Sequence, residues 1–106
     1  MSSINASKLN ARDSQFNNAN FGNANLKGAK FNGSLLKSTN FRNANLQWVT
    51  FSNCDLSNSD FRKANLRGTI FTEVQLDNCE FKGAIANKNT SFPEGFKIAG
   101  KGIIME

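Results

Sequence analysis

Chemistry in this chain would have to come from carboxylates, two thiols and a set of cations, because histidine and tyrosine are absent. That removes the commonest general base and its frequent companion. Asp55, Asp60, Glu73, Asp77 and Glu80 are scattered, and none has a partner at a spacing that would shift its pKa in a shielded site. Cys54 and Cys79 stand 25 residues apart with no histidine to complete a metal set. No glycine-rich phosphate loop precedes a helix. The expectation is a protein without catalytic residues, metal or cofactor. What remains is recognition. Arg42, Arg62 and Lys82 recur at intervals of twenty, with Lys63 beside them, and Trp48 stands twenty residues from both Gly28 and Gly68. These four, Trp48, Arg42, Arg62 and Lys82, are the candidate contact residues.

The elements that must hold them announce themselves by period. Every fifth residue from Phe16 to Phe81 is Phe or Leu, fourteen in succession. Five matches neither the 3.6 of a helix nor the 2 of a strand, and marks a chain that stacks one short unit on itself. Two residues before each Phe or Leu centre comes a small residue, such as Ala24, Ser34, Thr39, Cys54 or Ala64. Between them Asn or Asp is frequent, as at Asn25, Asn45, Asp60 and Asn65. The small residue and the centre can both point inward from a short extended segment. The two residues after each centre are rich in Gly, Asn and Ser, which suits a tight corner.

Stretches such as Ala24-Asn25-Leu26-Lys27-Gly28 and Ala64-Asn65-Leu66-Arg67-Gly68 closely resemble the motif of the pentapeptide-repeat family, A(D/N)LXX, over roughly residues 14–86. The resemblance implies an all-β right-handed quadrilateral β-helix of about 3.5–4 coils, four five-residue sides to a coil, the coils about 4.8 Å apart. Twenty residues per coil would stack Phe21, Phe41, Phe61 and Phe81 on one side and Phe31, Phe51 and Phe71 on the side opposite. Leu26, Leu46 and Leu66 would fill a third column, and Leu36, Leu56 and Leu76 the fourth, a large-and-small scheme that fills a narrow interior. Phe16 would sit below the second Leu column. Arg42, Arg62 and Lys82 would form a basic ladder, with Asp60 and Glu80 placed to neutralise it, and Asn25, Asn45 and Asn65 would stack into an amide ladder. Trp48 would occupy a corner between two glycine corners. The cysteines would lie on different faces one layer apart, too far for a disulfide, as free thiols in a reducing compartment.

Three segments follow: a lead-in over 1–13, which the seven-residue gap from Leu9 to Phe16 puts out of register; the β-helix over 14–86; and a capping tail over 87–106. The tail carries the only proline and the string Thr90-Ser91-Phe92-Pro93-Glu94-Gly95-Phe96, similar to tails that follow such repeats in cyanobacterial proteins. The formal charge of +5 is spread without a basic run. No segment has the apolar length to span a bilayer or the pattern of a signal peptide, so a cytoplasmic protein is expected. The function expected is a noncatalytic scaffold or protein-binding module, with neither nucleic acid nor membrane as partner, monomeric or paired through the C-terminal end by Ile103, Ile104 and Met105. Two alternatives stand behind it. Some members of the family mimic a DNA duplex and bind gyrase, which the positive charge and short rod disfavour. A basic face could also bind nucleic acid weakly.

Overall fold

The computed structural model describes residues 4–106, so the first three residues of the expected lead-in lie outside the described residues. The corners organise everything else. From Lys8 to Gly83 every fifth residue has positive φ, between 50° and 78°. In the coils 41–60 and 61–80 three of the four corners are closed by a bond between residues three apart, as from Val49 N to Leu46 O at 3.1 Å and from Ala64 N to Phe61 O at 3.0 Å. A turn whose third residue must be left-handed selects Gly and Asn, which carry little or no penalty there. The Asn or Asp before each centre completes the corner: its side-chain oxygen accepts from the backbone N–H two residues on, as from Lys27 to Asn25 at 3.1 Å, Arg42 to Asn40 at 2.9 Å and Ser57 to Asp55 at 3.0 Å. This Asx geometry is the physical reason for the polar letter of the repeat.

Five-residue sides leave room only for very short strands. Strands β1 (Asn10–Arg12), β2 (Lys30–Asn32), β3 (Thr50–Ser52) and β4 (Ile70–Thr72) form one parallel sheet. Their register pairs each residue with the one twenty further on, Phe31 with Phe51 and Phe51 with Phe71. Single bridges repeat the same offset on the other three sides, as in Asn25 with Asn45, Leu35 with Asp55 and Asn40 with Asp60. There is no helix among the described residues. The fold is the right-handed quadrilateral β-helix.

The interior is close-packed. Rings of Phe21, Phe41, Phe61 and Phe81 stack at 5.6, 5.0 and 5.1 Å with planes within 12°. Across from them Phe31, Phe51 and Phe71 stack at 5.4 and 5.3 Å. The two columns interlock edge to face, Phe41 with Phe51 at 5.7 Å and Phe61 with Phe71 at 5.9 Å, the geometry aromatic quadrupoles favour. Leu26, Leu36, Leu46, Leu56 and Leu66 are fully buried between them. Leu76 is only half-buried, because the tail leaves its side of the last coil uncovered. The small position has a second duty. From Ser34 to Cys79, where it is Ser, Thr or Cys, it donates to the carbonyl 23 residues earlier, in the coil below: Ser59 Oγ to Leu36 O and Thr69 Oγ1 to Leu46 O, both 2.7 Å, and Cys54 Sγ to Phe31 O at 3.0 Å.

The lead-in differs from expectation. The lead-in is in register: Asn5 bridges Asn25 and Ala11 pairs with Phe31, so Ala6 and Ala11 are the centres and Ile4 and Leu9 fill small-residue positions. The larger Ile and Leu there compensate the alanine centres, and Phe16 closes the base of both ring columns, edge-on to Phe21 at 5.7 Å and Phe31 at 5.9 Å. At the other end Ser91 bridges Ile70 and β5 (Ile85–Ala86) pairs with β6 (Ile104–Met105), so the tail covers two of the four sides. Phe92 extends the second column onto Phe71 at 5.6 Å, and Phe96 stacks on Phe92 at 4.8 Å.

Candidate protein-binding surface

The left-handed corner fixes how Trp48 is presented. Its φ is 61° and it is 53% exposed, an unusual conformation for so bulky a residue. The corner above it is Gly68, and a Cβ added there would meet Trp48 Cδ2 and Cζ3 at 2.7 Å. The indole therefore leans upward onto the bare backbone of Gly68. Gly28, the corner below, is approached instead by the Lys8 side chain, with 3.6 Å from Lys8 Cγ to a Cβ built there.

Arg42, Arg62 and Lys82 do share a corner column, held by bonds from Asn23 N to Arg42 O, Asn43 N to Arg62 O and Lys63 N to Lys82 O at 2.9, 3.1 and 3.1 Å. The lower part of that ladder is clamped by acids. Asp60 takes Arg62 at 2.7 Å and Arg42 at 3.7 Å, and Glu80 takes Arg62 at 3.4 Å. Burial pushes the Asp60 carboxyl up, but the hydrogen bonds from Arg62 and the charges of Arg62 and Arg42 outweigh it and hold it below the usual range. The same contact makes the Arg62 guanidinium harder to deprotonate. Lys82 and Lys63 take no part in these pairs. Trp48 does not join the ladder: it stands on the next corner, across the side that carries Asn45.

The side chains of Asn25, Asn45 and Asn65 do not form the expected ladder. Each Oδ1 accepts from the backbone N–H two residues on, at 3.1, 3.1 and 3.2 Å, which draws the amides toward their own corners. A side-chain amide bond between coils occurs one side over, from Asn40 Nδ2 to Asn20 Oδ1 at 3.0 Å. The thiols are free and hydrogen-bonded. Burial pushes Cys79 up to about 12 and raises Cys54 as well, so at neutral pH neither is a thiolate nucleophile. Buried side chains fill the interior of the described coils, and an open cleft of about 650 Å³ lies between Val74–Phe81 and the tail at Pro93–Lys101. No group of three potential ligands that could hold a metal ion occurs among the described residues. No helix among them is long and apolar enough to cross a membrane.

Sequence reasoning missed one set of residues. The corner of Trp48 also carries Lys8, Lys27, Arg67 and Lys88, which are far apart in the chain and meet only when it is projected at twenty residues per turn.

Comparison with solved structures agrees with this geometry. A pentapeptide-repeat protein of the Arabidopsis thaliana thylakoid lumen is 28% identical, with a TM-score of 0.60 over 96% of this chain and 61% of that one. QnrB1, a plasmid-mediated fluoroquinolone resistance protein, is also 28% identical, with a TM-score of 0.73 over 78% of this chain and 47% of that one. The chain thus spans less than two thirds of either protein's length. The pentapeptide-repeat protein Rfr23 from the cyanobacterium Cyanothece 51142 is 25% identical, with a TM-score of 0.55 over 85% and 88%. Comparison with curated proteins finds no match. The family model described as a pentapeptide repeat region matches residues 11–81, and with that span and these coils the chain belongs to the pentapeptide-repeat family.

Proposed function

We propose that this protein is a noncatalytic scaffold that binds another protein through the outer surface of its tube. The observation that carries this reading is the filled core. Rings and aliphatic side chains occupy every coil, so specificity has only the surface to work with. On that surface Trp48 is a large aromatic held at a strained corner, and exposed aromatics of this kind are enriched among contact hot spots. In this reading residues 14–86 are the binding body, 1–13 start the coil, and 87–106 cap it. The two unbridged thiols favour a reducing, cytoplasmic setting.

The test is capture from a lysate of the source cell, with identification by mass spectrometry. Wild-type protein is expected to retain a specific protein that Trp48→Ala loses. Capture of nothing specific by either form would remove the binding reading.

The likeness to QnrB1 motivates a second reading, protection of a fluoroquinolone target. The formal charge of +5 opposes it, because mimicry of a duplex requires a negative surface. A DNA supercoiling assay with added fluoroquinolone separates the two. Protection by micromolar protein would favour this second reading.

A further inference from the structure

Projected onto the four sides of the tube, the charges segregate. Take the side bearing Asn25, Asn45 and Asn65. One bordering corner holds Lys8, Lys27, Arg67 and Lys88, and the other holds Arg42, Arg62, Lys63 and Lys82. Eight of the chain's 13 cations therefore edge a single side. The acids that reach it come from its margins: Asp60 and Glu80 from the neighbouring side, and Glu106, which pairs with Arg67 at the top. Lys8, Lys27, Lys63, Lys82 and Lys88 are exposed and take part in no ion pair among the described residues. The opposite side and its corners carry Asp13, Asp55, Glu73, Asp77 and Glu94 together with Arg12, Lys37 and the tail's Lys97 and Lys101, so acids and cations nearly balance there.

Resting on the protein-binding reading, we propose that this cationic side is the docking face and that its partner is an acidic protein surface. Three features converge on it. The centre is a strip of donors, because the Oδ1 atoms of Asn25, Asn45 and Asn65 are taken by backbone N–H groups and their Nδ2 groups bond nothing among the described residues. A surface of acceptors, carboxylates above all, complements that strip. The edges supply cations at layer spacings of about 4.8 Å, close enough for their fields to add within a Debye length of about 10 Å. Trp48 stands on one edge as the apolar anchor. A single-stranded nucleic acid would need several rings on which successive bases stack, and Trp48 is the single large exposed aromatic of the described residues.

The test uses the full-length, ¹⁵N-labelled protein titrated at low salt with poly-L-glutamate and, in parallel, with oligodeoxythymidine of equal length. Poly-L-glutamate is expected to shift Gly28, Trp48, Gly68 and the Asn25, Asn45 and Asn65 amides, and to bind more tightly than oligodeoxythymidine. The triple variant Lys8→Glu, Lys27→Glu, Lys88→Glu should weaken it at least tenfold. The charge-matched control Arg12→Glu, Lys37→Glu, Lys97→Glu should change it less than twofold. Should the first triple fail to fold, the double Lys27→Glu, Lys88→Glu takes its place, with a loss of at least threefold expected. Equal losses in variant and control, shifts on the opposite side, tighter binding of oligodeoxythymidine, or no binding would each overturn the proposal. If it falls while Trp48→Ala still abolishes lysate capture, the binding reading survives and only the charge-based choice of partner is lost.

Discussion

At the scale of single residues, the five-residue corner imposes a left-handed backbone on whatever occupies it. Trp48 bears a conformation that costs an L-residue about 1–2 kcal/mol, offset by its contact with Gly68. Trp48→Asn is therefore expected to leave unfolding free energy within about 1 kcal/mol of wild type, measured by urea denaturation. Gly68→Ala should cost at least about 2 kcal/mol, from the left-handed φ and the collision with the indole, and less in the Trp48→Asn background. Cys79 offers a pH-dependent check. Its thiol titrates near 9.0 unfolded and at about 12 folded, so its protonated form favours the native state below pH 9 and that contribution is lost as pH rises toward 12. Wild type should lose stability over that window more steeply than Cys79→Ala, and alkylation of Cys79 at pH 8 should be slow. Asp60 runs the other way. Its depressed pKa favours folding above the unfolded value and the contribution fades as acid protonates the folded carboxylate. The stability gap to Asp60→Asn, at most about 1 kcal/mol for so open a pair, should close in acid. The Phe and Leu centres were legible because they keep one spacing. The left-handed demand at Trp48 was not, since only Gly and Asn advertise it.

At the scale of the element, each coil is one layer of two rings and two aliphatic side chains, tied to its neighbours by ladder bonds and by the buried hydroxyls. Removing a ring from the middle leaves a hole that a rigid tube cannot close. Phe61→Ala should cost about 3–5 kcal/mol, and Phe16→Ala at the half-buried base less. Ser59 both donates to Leu36 O and accepts from Thr39 N at 3.1 Å, so Ser59→Ala should cost about 1–3 kcal/mol although it removes one atom. Thermal and denaturant unfolding of the three variants would rank these effects. The sequence marked that position as small, but a backbone partner 23 residues away has no local signal. The lead-in misled for a related reason. Ile4 and Leu9 look like centres by hydropathy, whereas the register makes Ala6 and Ala11 the centres. At the other end the offset becomes 21 between Ile70 and Ser91 and 19 between Ile85 and Ile104, which breaks the period that made the body readable.

At the scale of the molecule, a stacked tube must defend its ends, because an uncovered coil exposes both apolar surface and unpaired backbone. The tail does this on two sides and leaves the edge from Leu76 to Phe81 open, where the amides of Leu76, Asn78 and Phe81 donate to no acceptor among the described residues. Deleting 87–106 should bare Phe71 and Phe81, lower the melting temperature and produce concentration-dependent association in sedimentation. The charge asymmetry belongs to this scale too. It was hidden in the sequence because Lys8, Lys27, Arg67 and Lys88 become neighbours only once twenty residues close a square.

The filled tube, which leaves recognition to the outside, is most directly tested by residue-resolved native hydrogen exchange. Amides of the middle coils, such as Leu46, Phe51 and Leu56, should open only with global unfolding, while Leu76, Asn78 and Phe81 should exchange orders of magnitude faster. Uniformly weak protection through Leu46–Leu56, or a protected edge from Leu76 to Phe81, would contradict a closed interior with an open last coil.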